Sequence, residues 1–382
     1  MIYQPFGKTG ISLSKLGFGS MRLPMREDGD KKTVDYDLST PLLQRAFELG
    51  VNYVDTAPYY CESDSEVAVG KALKGWRDKV YLSTKNPVED SSGDHWRRRL
   101  ETSLKKLDTD HIDFYHMWGI NLKEYRDSID VKDGPLEAAH KALDEGLIRY
   151  LSFSFHDDPA NMLPILDSGE FTSVLCQYNL LDQANTVGME HAKELGMGVV
   201  IMGPVGGGRL GGPSPVLRSL IQRETCSSAE IALRFVLANP NVNIALSGME
   251  NLTQLEENVK VASVEGPLSA EEYARVQDMI KETYRLRDLY CTGCKYCMPC
   301  PQGVNIPHVF SLMNYHRVYD LTDYARNQFA LLHTPVADRK EDWAKQWGED
   351  PAVCVECAQC ESRCPQKLKI IEQLKETRKA LG

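Results

Sequence analysis

Gly50-Val51-Asn52-Tyr53-Val54-Asp55-Thr56-Ala57-Pro58-Tyr59-Tyr60 is the stretch from which the fold is read. A glycine closes the amphipathic run 42–49, as glycine does past a helix end. Residues 51–55 form a short strand-like run carrying Val51, Tyr53 and Val54, and polar and aromatic residues follow. The same order of helix, glycine, strand and loop recurs along the chain. Gly146 and Gly196 stand where Gly50 does, just ahead of further short apolar runs.

Candidate strands fall at 15–20, 51–55, 80–85, 112–117, 148–154, 173–177, 198–202 and 243–247. Amphipathic stretches such as 42–49 and 136–144 lie between them. Eight such units over about 250 residues predict an α/β fold, a (β/α)8 TIM barrel. A doubly wound open sheet is the rival, but no Gly-x-Gly-x-x-Gly follows the first strand.

Chemistry in such a barrel sits at the C-terminal ends of the strands. The second strand ends in Asp55 and leads to Tyr60, the third ends in Lys85, and the fourth carries His116 and Trp118. An acid, a phenol and a lysine converge at one mouth. Lys85 can lower the pKa of Tyr60 while Asp55 holds Lys85 charged. A tyrosine so tuned can protonate a carbonyl oxygen. On residue types alone, a buried ion pair beside a tyrosine fits equally well.

Eleven cysteines are present, and eight crowd into two runs near the end. The first is Cys291-x2-Cys294-x2-Cys297-x2-Cys300-Pro301; the second is Cys354-x2-Cys357-x2-Cys360-x3-Cys364-Pro365. Two-residue spacers let a looping backbone deliver three thiolates to one cubane. In two-cluster ferredoxins the fourth serves the other cluster. The second run matches that pattern fully; the first is one residue shorter before its last cysteine. The expectation is two [4Fe–4S] clusters, with paired zinc sites as the alternative. Residues 309, 310, 312 and 313, and 324, 329, 331 and 332, fall at helical periods between the runs, so this region is expected to be mainly helical. His308, His316 and His333 are read as surface or helix-packing residues rather than ligands.

The composition is that of an ordinary globular protein, with a formal net charge of −10. That charge argues against nucleic acid or an anionic membrane as partner. No apolar run reaches the roughly 20 residues of a membrane helix, and the first residues lack the pattern of a signal peptide. A cytoplasmic location is expected.

Phe6-Gly-Lys-Thr-Gly10 followed by Leu16-Gly-Phe-Gly-Ser-Met21 resembles the opening of the aldo-keto reductases, and Asp55, Tyr60 and Lys85 stand at that family's spacing. The resemblance covers residues 1 to about 265. With the cysteine tail, the whole chain resembles a branch carrying a C-terminal ferredoxin-like domain; Cys291-Thr-Gly-Cys-Lys-Tyr-Cys-Met-Pro-Cys-Pro-Gln-Gly303 is similar to its cluster motif. The implied domains are 1–284, the barrel with a closing helix, and 285–382, a ferredoxin-like domain. The family binds NAD(P)H across the barrel mouth. By resemblance, Ser154 and Gln177 would meet the nicotinamide carboxamide. The loop from Gly203 through Gly206 to Gly208 would lie near the pyrophosphate. Gly248, Gln254, Glu257 and Asn258 would belong to the adenosine segment.

Three departures stand out. Phe155 occupies a place where the family commonly has Asn. Gln254 replaces a common 2′-phosphate arginine. Trp118 occupies the place of the catalytic histidine, with His116 two residues deeper. The expected roles are therefore Tyr60 as acid, Lys85 and Asp55 as its tuning pair, Trp118 as an indole donor, and His156 as a histidine reaching the mouth from the fifth strand. Cys61 is read as a quiet buried thiol. The resemblance implies an NAD(P)H-linked oxidoreductase acting on a small carbonyl or alcohol. Two alternatives stay open: a cluster-dependent oxidoreductase exchanging electrons with a ferredoxin-like carrier without nicotinamide, and a non-catalytic electron-transfer subunit. Nicotinamide moves two electrons at once and a cluster one, and no flavin motif is legible to connect them.

Overall fold

Short parallel strands whose side chains alternate between two buried faces close on themselves here. A computed structural model describes all residues except 30, 181, 207–209, 211–226, 280–296, 318, 341 and 365–367, and leaves out the side chains of 28, 342 and 343. Two compact units result: Met1–Gly207 with Ala232–Ser269, and Gly208–Ile231 with Ala270–Gly382. The expected boundary between residues 284 and 285 lies outside the described residues.

The first unit opens with a hairpin of β1 (Tyr3–Pro5) and β2 (Ser12–Ser14). The barrel follows: β3 (Leu16–Gly19), then, beyond a second hairpin of β4 (Met25–Asp28) and β5 (Lys31–Val34), β6 (Tyr53–Asp55), β7 (Tyr81–Pro87), β8 (Ile112–Ile120), β9 (Ile148–Phe155), β10 (Ser173–Gln177), β11 (Gly198–Met202) and β12 (Ile244–Ser247). These eight strands pair in parallel and form a closed barrel. The sixth and seventh expected strands match to the residue. The fourth runs three residues further than expected, past an irregularity between Met117 and Ile120, and this carries Trp118 into the strand. The β4–β5 hairpin was not foreseen: its charged residues show no alternation of apolar side chains.

Phe6 plugs one end, packing with Leu13, Tyr53, Phe114, Leu175, Val200, Ile244 and Leu246. Its ring meets Phe114 edge-on at 5.1 Å. Gly198 makes room for it: a Cβ there would stand 2.2 Å from Phe6 Cζ. Burying such a ring contributes about 1.5–3 kcal/mol. Asp113, wholly buried at the start of β8, accepts from Arg77 Nη1 at 2.8 Å and Arg149 Nη1 at 2.9 Å, and from the Leu82 N–H at 2.8 Å. It ties β8 to both neighbouring strands at the end opposite the mouth.

Helices Ile306–Arg317, Thr322–Ala330 and Ile370–Leu381 build the second unit around Val309, Phe310, Leu312, Phe329 and Leu374. The expected helical region is thus present. Leu331 faces solvent, 45% exposed, because the helix ends at Ala330 and gives way to a tighter turn.

Candidate active site and cysteine centre

Strand order brings Asp55 and Lys85 together, because β6 pairs with β7. Lys85 Nζ donates to Asp55 Oδ2 at 2.6 Å and to the Thr56 carbonyl at 2.7 Å. It stands 4.9 Å from the centre of the Tyr60 ring, and its charge reaches the phenol. Lys85 is 2% exposed and Asp55 3%. A buried ion pair persists only when its remaining hydrogen-bonding capacity is met. Burial pulls the lysine pKa down, but the Asp55 charge and the hydrogen bonds lift it above its ordinary value. Burial pushes the Tyr60 phenol up, and Lys85 pulls it back. Lys85 thus acts in the expected direction, yet burial wins and the net displacement is upward.

The Tyr60 loop is anchored by buried hydroxyls. Ser20 Oγ donates to the Asp55 carbonyl at 2.8 Å. Ser65 Oγ lies 2.7 Å from Ser20 Oγ and 2.8 Å from Thr56 Oγ1. Between Tyr60 and the helix Ser65–Ala72 the chain turns through Cys61, Glu62 and Ser63, all left-handed at φ 52°, 54° and 67°. Each non-glycine residue so placed costs about 1–2 kcal/mol. The turn delivers Ser65 to the hydroxyl cluster and leaves Tyr60 facing Lys85. Cys61 donates to the Ser20 carbonyl at 3.4 Å, and burial pushes its thiol up.

Trp118 stands edge-on to Tyr60, with ring centroids 5.9 Å apart, and tilts against Tyr59 at 5.6 Å. Gly119 follows with φ +65° and donates its N–H to Ser154 Oγ at 2.7 Å. A Cβ at Gly119 would lie 3.6 Å from His156 Cδ2, so the His156 ring sits beside the Trp118 segment. Solvent reaches His156; the walls around it and the Lys85 charge push its pKa down. His116 is different. It is wholly buried level with Lys85, and burial and then the lysine charge push it down to about 3.

Further round the rim, Ser154 is buried with its oxygen already accepting from Gly119, which leaves its proton to donate. Gln177, at the end of β10, faces Gly203: a Cβ there would come 3.0 Å from Gln177 Oε1. Gly203 (φ +62°) and Gly206 (φ +59°) are left-handed, and the Gly206 N–H donates to the Gly203 carbonyl at 2.8 Å. Gly207 and Gly208 lie outside the described residues. Gly248 follows β12, and the helix Leu252–Ala262 begins on an Asn251 cap. Gln254 Oε1 accepts from the Glu250 N–H at 2.8 Å, Asn258 Nδ2 donates to Ser247 Oγ at 3.0 Å, and Glu257 is exposed.

In the second unit, Cys297, Cys300, Cys354, Cys357 and Cys360 line one hollow with Pro299, Ile306, Ile371 and Leu374. Left-handed Glu356 (φ 56°) and Ala358 (φ 57°) wind the loop so that Cys354, Cys357 and Cys360 face the same side. Cys364 packs against the adjoining core. Cys291 and Cys294 lie outside the described residues. His316 and His333 are engaged by Thr322 at 2.9 Å and Asp350 at 2.6 Å, and His308 stacks on Trp347 at 5.5 Å.

Residues 15–281 match the model of the aldo/keto reductase family, well over half of the chain. The chain belongs to the aldo/keto reductase family. Residues 290–369 match a 4Fe-4S dicluster domain. This reductase is 29% identical over 284 residues to an L-galactose dehydrogenase of Arabidopsis thaliana, covering 66% of this chain and 85% of the relative. It is 28% identical over 309 residues to an uncharacterized oxidoreductase of Bacillus subtilis, covering 72% and 95%. Among solved structures, an aldo-keto reductase from Bacillus halodurans in its holo form superposes with a TM-score of 0.63 at 29% identity, covering 73% of this chain and 96% of that one. The protein is an oxidoreductase with an iron–sulfur type domain appended to its barrel. Among the described residues no helix is long and apolar enough to cross a membrane.

The sequence reading of this reductase missed Ser83, which donates to Asp55 Oδ1 at 2.8 Å. Its signal was present: two residues before Lys85, it shares that side chain's face of the strand. Arg22 was missed too. Its side chain runs along Gly248, where a Cβ would lie 3.4 Å from Arg22 Cδ, and only barrel closure between β12 and β3 brings the two together.

Proposed function

We propose that this aldo-keto reductase interconverts a carbonyl and an alcohol on a small molecule at the barrel mouth, using NAD(P)H, and that its second unit holds two [4Fe–4S] clusters. The observation that carries the reading is the buried Lys85 ammonium, paired with the Asp55 carboxylate at 2.6 Å and standing 4.9 Å from the centre of the Tyr60 ring. In the carbonyl-reducing direction Tyr60 donates its proton to the substrate oxygen, and Lys85 stabilises the phenolate left behind. His156 and the indole N–H of Trp118 are the donors available to hold that oxygen; the indole cannot ionise.

The rim fits a nicotinamide dinucleotide. Ser154 has a proton to give and Gln177 an amide, the two complements a carboxamide needs. Gly203 and Gly206 allow backbone to approach a pyrophosphate. Gly248, Gln254, Glu257 and Asn258 take the adenosine end. When bound, the cofactor supplies the hydride.

The cysteine hollow fits a cluster held by Cys354, Cys357 and Cys360 with Cys300 crossing over from the first run. Cys291, Cys294 and Cys297 with Cys364 make the second set. When bound, such clusters exchange single electrons, and a ferredoxin-like carrier is the matching partner. Thiolate ligands suit the reducing cytoplasm. Trp118 in the histidine's place favours a second reading, in which electrons reach the substrate through the clusters without nicotinamide.

Anaerobic absorption spectra of the whole protein, titrated separately with NADH, NADPH and dithionite, test both. Dinucleotide binding with carbonyl turnover supports the first reading. Dithionite bleaching with no dinucleotide binding replaces it with the second.

A further inference from the structure

The two oxygens of the Asp55 carboxylate are used differently. Oδ2 takes Lys85 at 2.6 Å, while Oδ1 accepts from Ser83 Oγ at 2.8 Å. Ser83 Oγ in turn lies 3.0 Å from His116 Nε2. A hydroxyl has one proton. Ser83 gives it to the carboxylate, so the imidazole Nε2–H must donate to Ser83. Ser83 and His116 are both 0% exposed, and the reaction outlined above employs neither.

A serine hydroxyl is a rotor, and what donates to it decides where its own proton points. Without His116, the Ser83 proton is free to turn away from Asp55. The carboxylate would then satisfy itself on Lys85 alone and draw the ammonium toward it, away from the phenol. We propose that His116 and Ser83 are positioning residues: His116 orients Ser83, Ser83 holds Asp55, and Asp55 thereby keeps the Lys85 ammonium in register with Tyr60. The inference rests on Tyr60 being the proton donor.

His116 suits this role because it stays neutral across the physiological range, so the chain is a fixed string of hydrogen bonds and not a proton path. The charged and titratable groups facing Tyr60 are Lys85, Asp55 and Cys61. The Lys85 charge also reaches His116, His156 and Glu66.

The test uses the full chain labelled with 3-fluorotyrosine. Fluorine NMR follows each phenol with pH, and the Tyr60 signal is the one missing from Tyr60→Phe. Kinetics use 4-nitrobenzaldehyde with NADH or NADPH. Ser83→Ala and His116→Ala should raise the Tyr60 pKa by about one unit. They should lower kcat about tenfold and leave KM unchanged. His116→Gln, which restores an N–H donor, should recover most of both. Ser83→Cys keeps the volume without a strong donor and should behave like Ser83→Ala if that variant does not fold. An unmoved Tyr60 titration in folded His116→Ala and Ser83→Cys overturns the proposal. Full turnover in Tyr60→Phe instead removes the proton-donor reading, while the titration still decides the positioning chain.

Discussion

The Tyr60 and Trp118 rings meet at 88° with centroids 5.9 Å apart. This edge-to-face pair covers one side of the phenol that Lys85 addresses from below, so Tyr60 is held between a charge and an aromatic wall. Such pairs contribute about 0.5–1.5 kcal/mol beyond area burial. Tyr59, tilted against the same indole, extends the wall to the rim, where it donates to Glu89 Oε1 at 2.8 Å.

Tyr60→Phe keeps the ring packing and removes the proton. Turnover of a carbonyl substrate should fall by about 10²–10⁴, with dinucleotide binding measured by calorimetry unchanged. Wild-type turnover in this variant would show that the protonating group lies elsewhere.

The two histidines should separate cleanly. His156→Ala removes a donor at the mouth and should lower kcat by about 10²–10³. His116→Ala acts only through Ser83 and Asp55 and should cost about tenfold. Steady-state rates for the pair decide it; a greater loss at His116 would reverse the assignment.

Acid should weaken the barrel in a defined window. The His116 pKa is about 3 in the folded chain against 6.5 as its ordinary value, so folding favours its neutral form. Its contribution is complete above pH 6.5 and is lost as pH falls from there toward 3, because the unfolded chain takes up a proton that the folded one refuses. His156 has the same sign, but solvent screens it. His116→Gln should show a shallower fall in urea midpoint between pH 7 and about 4.5 than the parent. Parallel curves would place the acid sensitivity elsewhere.

Gln254 carries no charge, and its Oε1 is occupied by the Glu250 N–H. NADPH should therefore lack the large advantage an arginine confers. Gln254→Arg should raise the NADPH-to-NADH affinity ratio about tenfold, a gain of about 1.4 kcal/mol. Calorimetry with both cofactors measures it, and a hundredfold NADPH preference in the parent would refute the argument.

Anaerobically purified protein should contain about eight iron and eight sulfide. Cys300→Ser and Cys357→Ser should each cost about half of the iron, and the double variant no more than either alone, because both serve one cluster. Additive losses would assign Cys300 to the other cluster. Stoichiometric zinc would exclude both.

What the sequence determined by itself was whatever depends on local order. β10, 173–177, was legible around Val174-Leu175-Cys176, and Asp55, Tyr60 and Lys85 follow from their places near strand ends, because strand period and loop position are properties of neighbouring residues. The cysteine spacing likewise announced its chemistry. Closure decided the rest. Asp55 meets Ser83 only because β6 pairs with β7, and Arg22 reaches Gly248 only because β12 pairs with β3. His116 and Trp118 share a strand and a face, yet one is sealed beneath the ion pair and the other lines the mouth. Cys300 shares a hollow with Cys354, Cys357 and Cys360 across more than fifty intervening residues. Burial, and with it the upward displacement of Tyr60 and the downward one of His116, is set by everything packed around a group, and no window of sequence contains that.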